Sequence, residues 1–290
     1  MGKNSHTLVN RQNGELAFKI FSFEDASYFD HIQRQNYYSI ILIFHGDVEL
    51  QVDFTTYSLP HKSILCLSPY QPYLLKSDAE LSGITLNFHP DFFCTYKHQN
   101  EVESEGVLFN NIYEPPFFPI GDEQPLVDKL NQMKEEIESA GLAQHELLVS
   151  LLKIFLITVL RIKVSQTPRI REQLCENSGP LILQKLTDSI EQNYKNKHSA
   201  SDYAGLLNIS PNALAKLVKN YFHKTLTDLI AQRIMIEAKR ELYLTPKSVK
   251  EISHLLGYND EYYFSRFFKN QAGISPQIYR NTVGFAKQEK

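Results

Sequence analysis

The sequence has no run of about eighteen consecutive apolar residues, the length a helix needs to cross a bilayer, so it offers no membrane span. Its first residues, MGKNSHTLVNRQNGELAF, lack the apolar centre of a secretory signal, which predicts a cytoplasmic protein. Cysteine is scarce. Cys66, Cys94 and Cys175 stand far apart, are odd in number and form no Cys-x-x-Cys pair, which argues against a zinc ribbon, dithiol chemistry or a disulfide framework. Buried free thiols are the expectation. A His-x-His pair is also missing. On a strand, alternation makes that spacing the natural way to aim two imidazoles at one metal. The histidines of the first hundred residues, His31, His45, His61 and His89, are scattered instead. Neither a metal, nor a cofactor, nor an enzyme is expected.

What is present is enough chain for two domains, 290 residues, with 42% hydrophobic and 22% charged residues, a globular composition. The net charge of −3 conceals an asymmetry. Residues 1–179 hold 14 Lys and Arg against 23 Asp and Glu, whereas residues 180–290 hold 16 against 10. A basic C-terminal third beside an acidic remainder is the footprint of a tethered nucleic-acid module.

The first hundred residues read as strands. YYSIILIF (37–44) is a β-branched and aromatic run closed by His45-Gly46-Asp47, and VELQVDF (48–54) alternates, with Val48, Leu50, Val52 and Phe54 on one face. SILCLSP (63–69) and LSGITLNF (81–88) continue the series, and short strands at this spacing argue for a sandwich or small barrel. After EPPFFPIGDEQP (114–125) the period changes. Leu126, Leu130, Met133 and Ile137 mark one helix, ended by Gly141. A second, from about Gln144 to Val164, carries an apolar pair every four residues, a stripe wider than one antiparallel partner requires. TPRIREQLCENSGP (167–180) reads as a linker.

The last third contains a repeat. Ala200 to Leu207 is a short helix, Asn208 a turn residue, Ile209 an anchor and Ser210 an N-cap with Pro211 behind it; Leu214, Leu217 and Val218 follow at helical spacing. In the second copy Val249 to Leu256 is the helix, Gly257 the turn, Tyr258 the anchor and Asn259 or Asp260 the cap, before Phe264, Phe267 and Phe268. Leu206-Leu207 match Leu255-Leu256 at an offset of 49, and Leu217-Val218 match Phe267-Phe268 at an offset of 50, so one extra residue sits in the second turn or cap. This is helix-turn-helix grammar written twice. Leu226 to Tyr243 forms a connecting helix, with Leu229, Ile230, Ile234, Ala238 and Leu242 available to both copies. A helix fits the major groove of DNA, where base pairs are fully distinguishable. The expected base readers are Asn212, Ala215 and Lys216 in the first copy, and Glu261, Tyr262, Tyr263 and Arg266 in the second. Lys219, Lys224 and Lys269 are placed for phosphates.

KSVKEISHLLGYNDEYYFSRFFKNQAGISPQIYR (247–280) closely resembles the C-terminal signature of AraC/XylS-family transcription regulators. RIMIEAKREL (233–242) is similar to that family's connecting helix, and SDYAGLLNISPNALAKLVKNYF (201–222) to its first motif. The family usually places Gly after the first reading helix; here it is His223. YYSIILIFHGDVELQVDFTTYSLPHKSILCLSPYQPYLL (37–75) more diffusely resembles the family's cupin-like sensing domain. The resemblance implies an α+β multidomain chain: a cupin-like sensing barrel (1–120), a helical dimerisation hairpin (121–166), a linker (167–180) and an all-α double helix-turn-helix domain (181–290). It implies a bacterial, cytoplasmic and nucleoid-associated regulator, with promoter DNA, RNA polymerase, a small-molecule effector and a second copy of the chain as partners. For the effector the expected pocket residues are Tyr38, Phe44, Tyr57 and Tyr73. For the dimer they are Leu147, Leu151 and Phe155.

Overall fold

The computed structural model describes residues 5–9, 16–53, 55–77, 80–93, 108–109, 111–139, 141–174 and 180–283. The chain forms two compact units, Met1–Asn111 with Pro115–Thr167, and Ile112–Glu114 with Pro168–Lys290. No helix among the described residues is long and apolar enough to cross a membrane.

The first unit is β-rich. Its strands are β1 (Ser5–Val9), β2 (Leu16–Phe23), β3 (Tyr38–His45), β4 (Val48–Val52), β5 (Thr55–Leu59), β6 (Ser63–Leu67), β7 (Tyr73–Lys76), β8 (Ser82–Phe88) and β9 (Phe117–Pro119). They pair antiparallel in two sheets, ordered β1-β2-β8-β3-β6-β9 and β5-β4-β7. Gly46, at φ +116°, turns β3 into β4, and a Cβ there would stand 2.8 Å from the carbonyl oxygen of Glu80. Val48, Leu50 and Val52 are buried on one face as their alternation requires; Phe54 lies outside the described residues, just past Asp53 at φ +52°.

The larger sheet is buried on both faces. Between the sheets lies an inner core that includes Phe21, Phe23, Ile41, Ile43, Leu50, Leu65, Leu67, Tyr73 and Leu75. On the other face Phe18, Ile20, Ile40, Leu42, Cys66, Leu86 and Phe88 meet helices α1 (Gln124–Ser139) and α2 (Gln144–Leu174). Cys66 is a buried thiol; Cys94 and Cys175 lie outside the described residues. Helix α2 runs ten residues beyond Val164, through Pro168 and into the segment read as linker.

This two-faced sheet corrects two expectations. Tyr38 and Phe44 belong to the helix-covered face, where Tyr38 stacks on Phe88 at 5.1 Å, while Tyr57 and Tyr73 belong to the inner core. Strand alternation therefore separates the four aromatics, and they line no common pocket. Phe155 is likewise no interface residue, because it is fully buried with Leu148, Leu152 and Leu156 against the sheet. Leu151 packs at the edge of that core; Leu147 and Ile154 are the ones that face outward, 45% and 51% exposed.

The second unit is helical: α3 (Pro180–Asn193), α4 (Ala200–Leu206), α5 (Pro211–Phe222), α6 (Leu226–Leu244), α7 (Val249–Leu255), α8 (Glu261–Ala272) and α9 (Pro276–Val283). Helix α6 touches α3, α5, α7 and α9. Its Leu229, Ile230, Ile234, Ala238 and Leu242 are all buried, as the repeat demands.

The opposite sides of α2 carry opposite costs. Phe155→Ala should destabilise the first unit by about 3–5 kcal/mol, the toll of emptying an aromatic site in a packed core. Ile154→Ala, one residue earlier, should change it by about 0.5 kcal/mol or less. Denaturant melts of the two variants check the difference, and equal losses would contradict the helix's rotation.

Candidate nucleic-acid interface

Each helix-turn-helix is built by caps. The hydroxyl of Ser199 accepts from the backbone N–H of Asp202, whose carboxylate accepts from the backbone N–H of Ser199, and this starts α4. Asn208 turns the chain at φ +53°, the N–H of Ile209 reaches the carbonyl of Ala204, and Ser210 caps α5 through the N–H of Ala213 with Pro211 in the first turn. The second copy repeats the plan. Ser248 and Glu251 form the reciprocal cap of α7, Gly257 turns at φ +79°, the N–H of Tyr258 reaches the carbonyl of Ser253, and Asp260 caps α8 through the N–H of Tyr262. Of the two capping candidates in that turn, Asp260 is the one used. Gly257 is required twice over, since a Cβ there would fall 1.9 Å from the carbonyl oxygen of Lys195.

Burial fixes which side of each reading helix is outward. In α5 Leu214, Val218 and Phe222 are buried; in α8 Phe264, Phe268 and Ala272 are. At 3.6 residues per turn the opposite stripe is Asn212, Lys216, Lys219 and Asn220 in α5, and Tyr262, Arg266, Lys269 and Asn270 in α8. All eight are exposed, and each pair is fifty positions apart. Tyr262 is 79% exposed, an unusual state for an aromatic ring with no cover. Ala215 is exposed on the flank of its stripe. Tyr263 is 59% exposed, with its ring 5.8 Å from that of Tyr258, so it serves the fold as well as the surface. Glu261 is half-buried in the first turn of α8. Lys224 differs from the other lysines: it is half-buried and donates to the carbonyl of Ile112 at 2.9 Å and to Gln232 at 3.1 Å. Asn220 and Asn270 were missed as candidates. Their position four residues after Lys216 and Arg266 is the signal that finds them.

The helices beneath are set by charge as well as by burial. Arg233 of α6 donates to Glu191 of α3 at 2.7 Å, lies 3.6 Å from Glu237 and stacks on the Tyr194 ring at 4.0 Å. The Glu191 pairing and the nearby carboxylate keep its guanidinium charged despite the burial that opposes charge. Arg280 of α9 donates to the carbonyls of Leu242 and Lys247, closing the end of α6. Burial also raises the hydroxyl of Tyr203, to about 12, so that it stays protonated and donates to the carbonyl of Lys197. Among the described residues no group of three or more His, Cys, Asp or Glu could hold a metal ion.

Helix α8 ends on Gly273 at φ +81°, whereas α5 ends on His223 in the same left-handed region at φ +55°. A side chain with a Cβ pays a steric cost there that glycine avoids. His223→Gly should therefore stabilise the second unit by about 1 kcal/mol, read as a higher midpoint of thermal unfolding. A lower midpoint would show that the imidazole makes a compensating contact.

Comparison with known proteins finds a family match on each unit. The family described as AraC-like ligand binding domain matches residues 14–155, and the family described as Helix-turn-helix domain matches residues 203–282. The raffinose operon transcriptional regulatory protein RafR of Pediococcus pentosaceus is 30% identical over 95 residues, 33% of this chain and 34% of its own. The match thus spans about a third of RafR, and 48% of the Escherichia coli relative YkgA. The HTH-type transcriptional regulator YfiF of Bacillus subtilis is 22% identical over 265 residues, 86% of this chain and 78% of its own. Among solved structures, apo ToxT K231A of Vibrio cholerae aligns over 92% of this chain and 98% of its own, at 16% identity and a TM-score of 0.43. With an AraC-like ligand-binding match on its first unit and a helix-turn-helix match on its second, the chain belongs to the AraC/XylS family of transcription regulators.

Proposed function

We propose that this protein is a sequence-specific DNA-binding transcription regulator whose second unit reads promoter DNA and whose first unit binds a small-molecule effector. The observation that carries the reading is the pair of matched stripes, Asn212–Lys216–Lys219–Asn220 and Tyr262–Arg266–Lys269–Asn270, exposed on helices that one connecting helix supports. Two reading helices on one rigid support suit two successive major grooves, roughly 34 Å apart. Arg266 suits bidentate recognition of guanine, Asn212 of adenine, and Lys216 of guanine. Ala215, Tyr262 and Tyr263 supply apolar contact for thymine methyl groups, and Glu261 accepts from cytosine. Lys219 and Lys269 hold phosphates. Lys224 joins them only by giving up its bond to Ile112.

The first unit is read as a sensor and not as a catalyst. The protein acts in the bacterial cytoplasm, at the nucleoid, with RNA polymerase as the machinery it influences. Its dimer forms through the outward side of α2, with Leu147, Leu151 and Ile154 as the apolar contact. The division into barrel (1–120), hairpin (121–166), linker (167–180) and reader (181–290) belongs to the same proposal, with the helical extension of α2 replacing much of the linker.

Selection of genomic fragments by the purified protein tests the reading. One site should be bound at least a thousandfold more tightly than bulk DNA, with affinity falling steeply as salt rises. Arg266→Ala should weaken that site by about 1–3 kcal/mol and relax one base pair only; a uniform loss over all sequences would make it a phosphate contact instead. Leu147→Glu with Ile154→Glu should convert a dimer to a monomer in light scattering at micromolar concentration. A wild-type chain that is already monomeric, with and without operator DNA, would remove the dimer.

A further inference from the structure

Among the described residues, the large aromatics left exposed are Tyr262 and Tyr263, and both stand in the first turn of α8. Tyr263 leans on Tyr258, so packing accounts for part of its surface. Packing does not account for Tyr262. Among the described residues its side chain has no ring contact, hydrogen bond or ion pair, and neither has that of Arg266. The two are four residues apart, one above the other on the outward stripe. An apolar ring and a guanidinium, both unspent and adjacent, suit a ligand that offers something to each.

The first turn of α8 narrows what Tyr262 meets. Asp260 accepts from the Tyr262 N–H at 2.8 Å and Glu261 follows it, so two carboxylates occupy the helix end that would otherwise attract a phosphate. The ring is thereby directed to base edges and not to the backbone. In the major groove the apolar feature of a base pair is the C5-methyl group of thymine. 5-Methylcytosine carries the same group on the same carbon. These two bases differ at C4, where one has a carbonyl oxygen and the other an amino group. A phenol hydroxyl both donates and accepts, so Tyr262 is indifferent to that exchange. What it distinguishes is methyl from hydrogen, with thymine and 5-methylcytosine on one side, uracil and cytosine on the other. Side chains one turn apart on a reading helix address neighbouring base pairs, so the methyl group lies next to the guanine that suits Arg266. In α5 the matching position is Asn212, an amide with no comparable apolar face.

We propose that Tyr262 and Arg266 together read a C5-methylated pyrimidine next to a guanine, and that cytosine methylation at that position strengthens operator binding. This rests on the reading of the second unit as the DNA reader. Covering one methyl group changes affinity about fourfold, a graded response and not an on–off switch.

Selection by the full chain from random-sequence duplexes tests it, with three libraries. One is made with thymidine, one with deoxyuridine in its place, and one with 5-methyldeoxycytidine in place of deoxycytidine. The thymidine library should yield a site with a thymine beside a guanine. Deoxyuridine should erase the preference at that position, and 5-methylcytosine should share it with thymine. On the selected duplex, exchanging that one thymine for uracil should weaken wild type and Tyr262→Phe about fourfold and leave Tyr262→Ala unchanged. Cytosine against 5-methylcytosine at the same position should repeat the pattern. Arg266→Ala should relax the neighbouring guanine and keep the methyl preference. The inference is overturned if uracil serves as well as thymine or if 5-methylcytosine binds no better than cytosine. It is also overturned if Tyr262→Ala retains the preference, a result that would assign the methyl group to Tyr263 or Ala215. A selected site without any methyl-dependent position sinks this inference alone. No selected site from any library sinks the regulator reading with it.

Discussion

The apolar side of α6 is the surface on which both reading motifs are set. The helix has nineteen residues, about 28 Å of rigid rod, and its buried residues recur along its whole length. Helices α5 and α7 each lean on it, so the two outward stripes are related by a single piece of regular structure. A flexible connection of the same length would let each motif find DNA independently and would lose the shared register. Burial at Leu229, Ile234, Ala238 and Leu242 therefore does work that is read out on the far side of other helices.

Charged groups then refine what burial begins. Arg233, Glu191 and Glu237 fix α3 against α6, and Arg280 ties α9 to the last carbonyls of the same helix. Half-buried ion pairs of this type add little net stability against an apolar alternative, but a mispaired arrangement would strand a charge. They exclude wrong registers more than they strengthen the right one. The same unit leaves its reading faces nearly bare, which is where a polyanion has the most to gain by arriving.

Much of the second unit was legible because its signals are local. Ser210-Pro211, Asn208, Gly257 and Asp260 each state a backbone geometry within a few residues, and the repeat states it twice. The additional residue in the second copy falls where the offsets put it: four residues separate α4 from α5, and five separate α7 from α8. Helix α3 was missed because its apolar pattern follows a segment read as linker. In the first unit the strands could be found, but their two faces could not be told apart. YYSIILIF is apolar at every position but Ser39, so periodicity along β3 is silent about direction. Tyr38 and Phe44 were consequently grouped with Tyr57 and Tyr73, and only the pairing register separates them.

That doubly covered sheet has a consequence for how the chain tolerates change. From Tyr38 to Ile43 every residue of β3 is buried, alternate ones in different cores. Deleting or inserting one residue there would exchange the occupants of both cores at once, handing each compartment side chains shaped for the other. Edge strand β1, with alternate residues in solvent, has only one compartment to disturb. Length variation across descendants of this gene should therefore collect at the sheet's rim and its loops, and the central strands should drift by exchange of one apolar side chain for another.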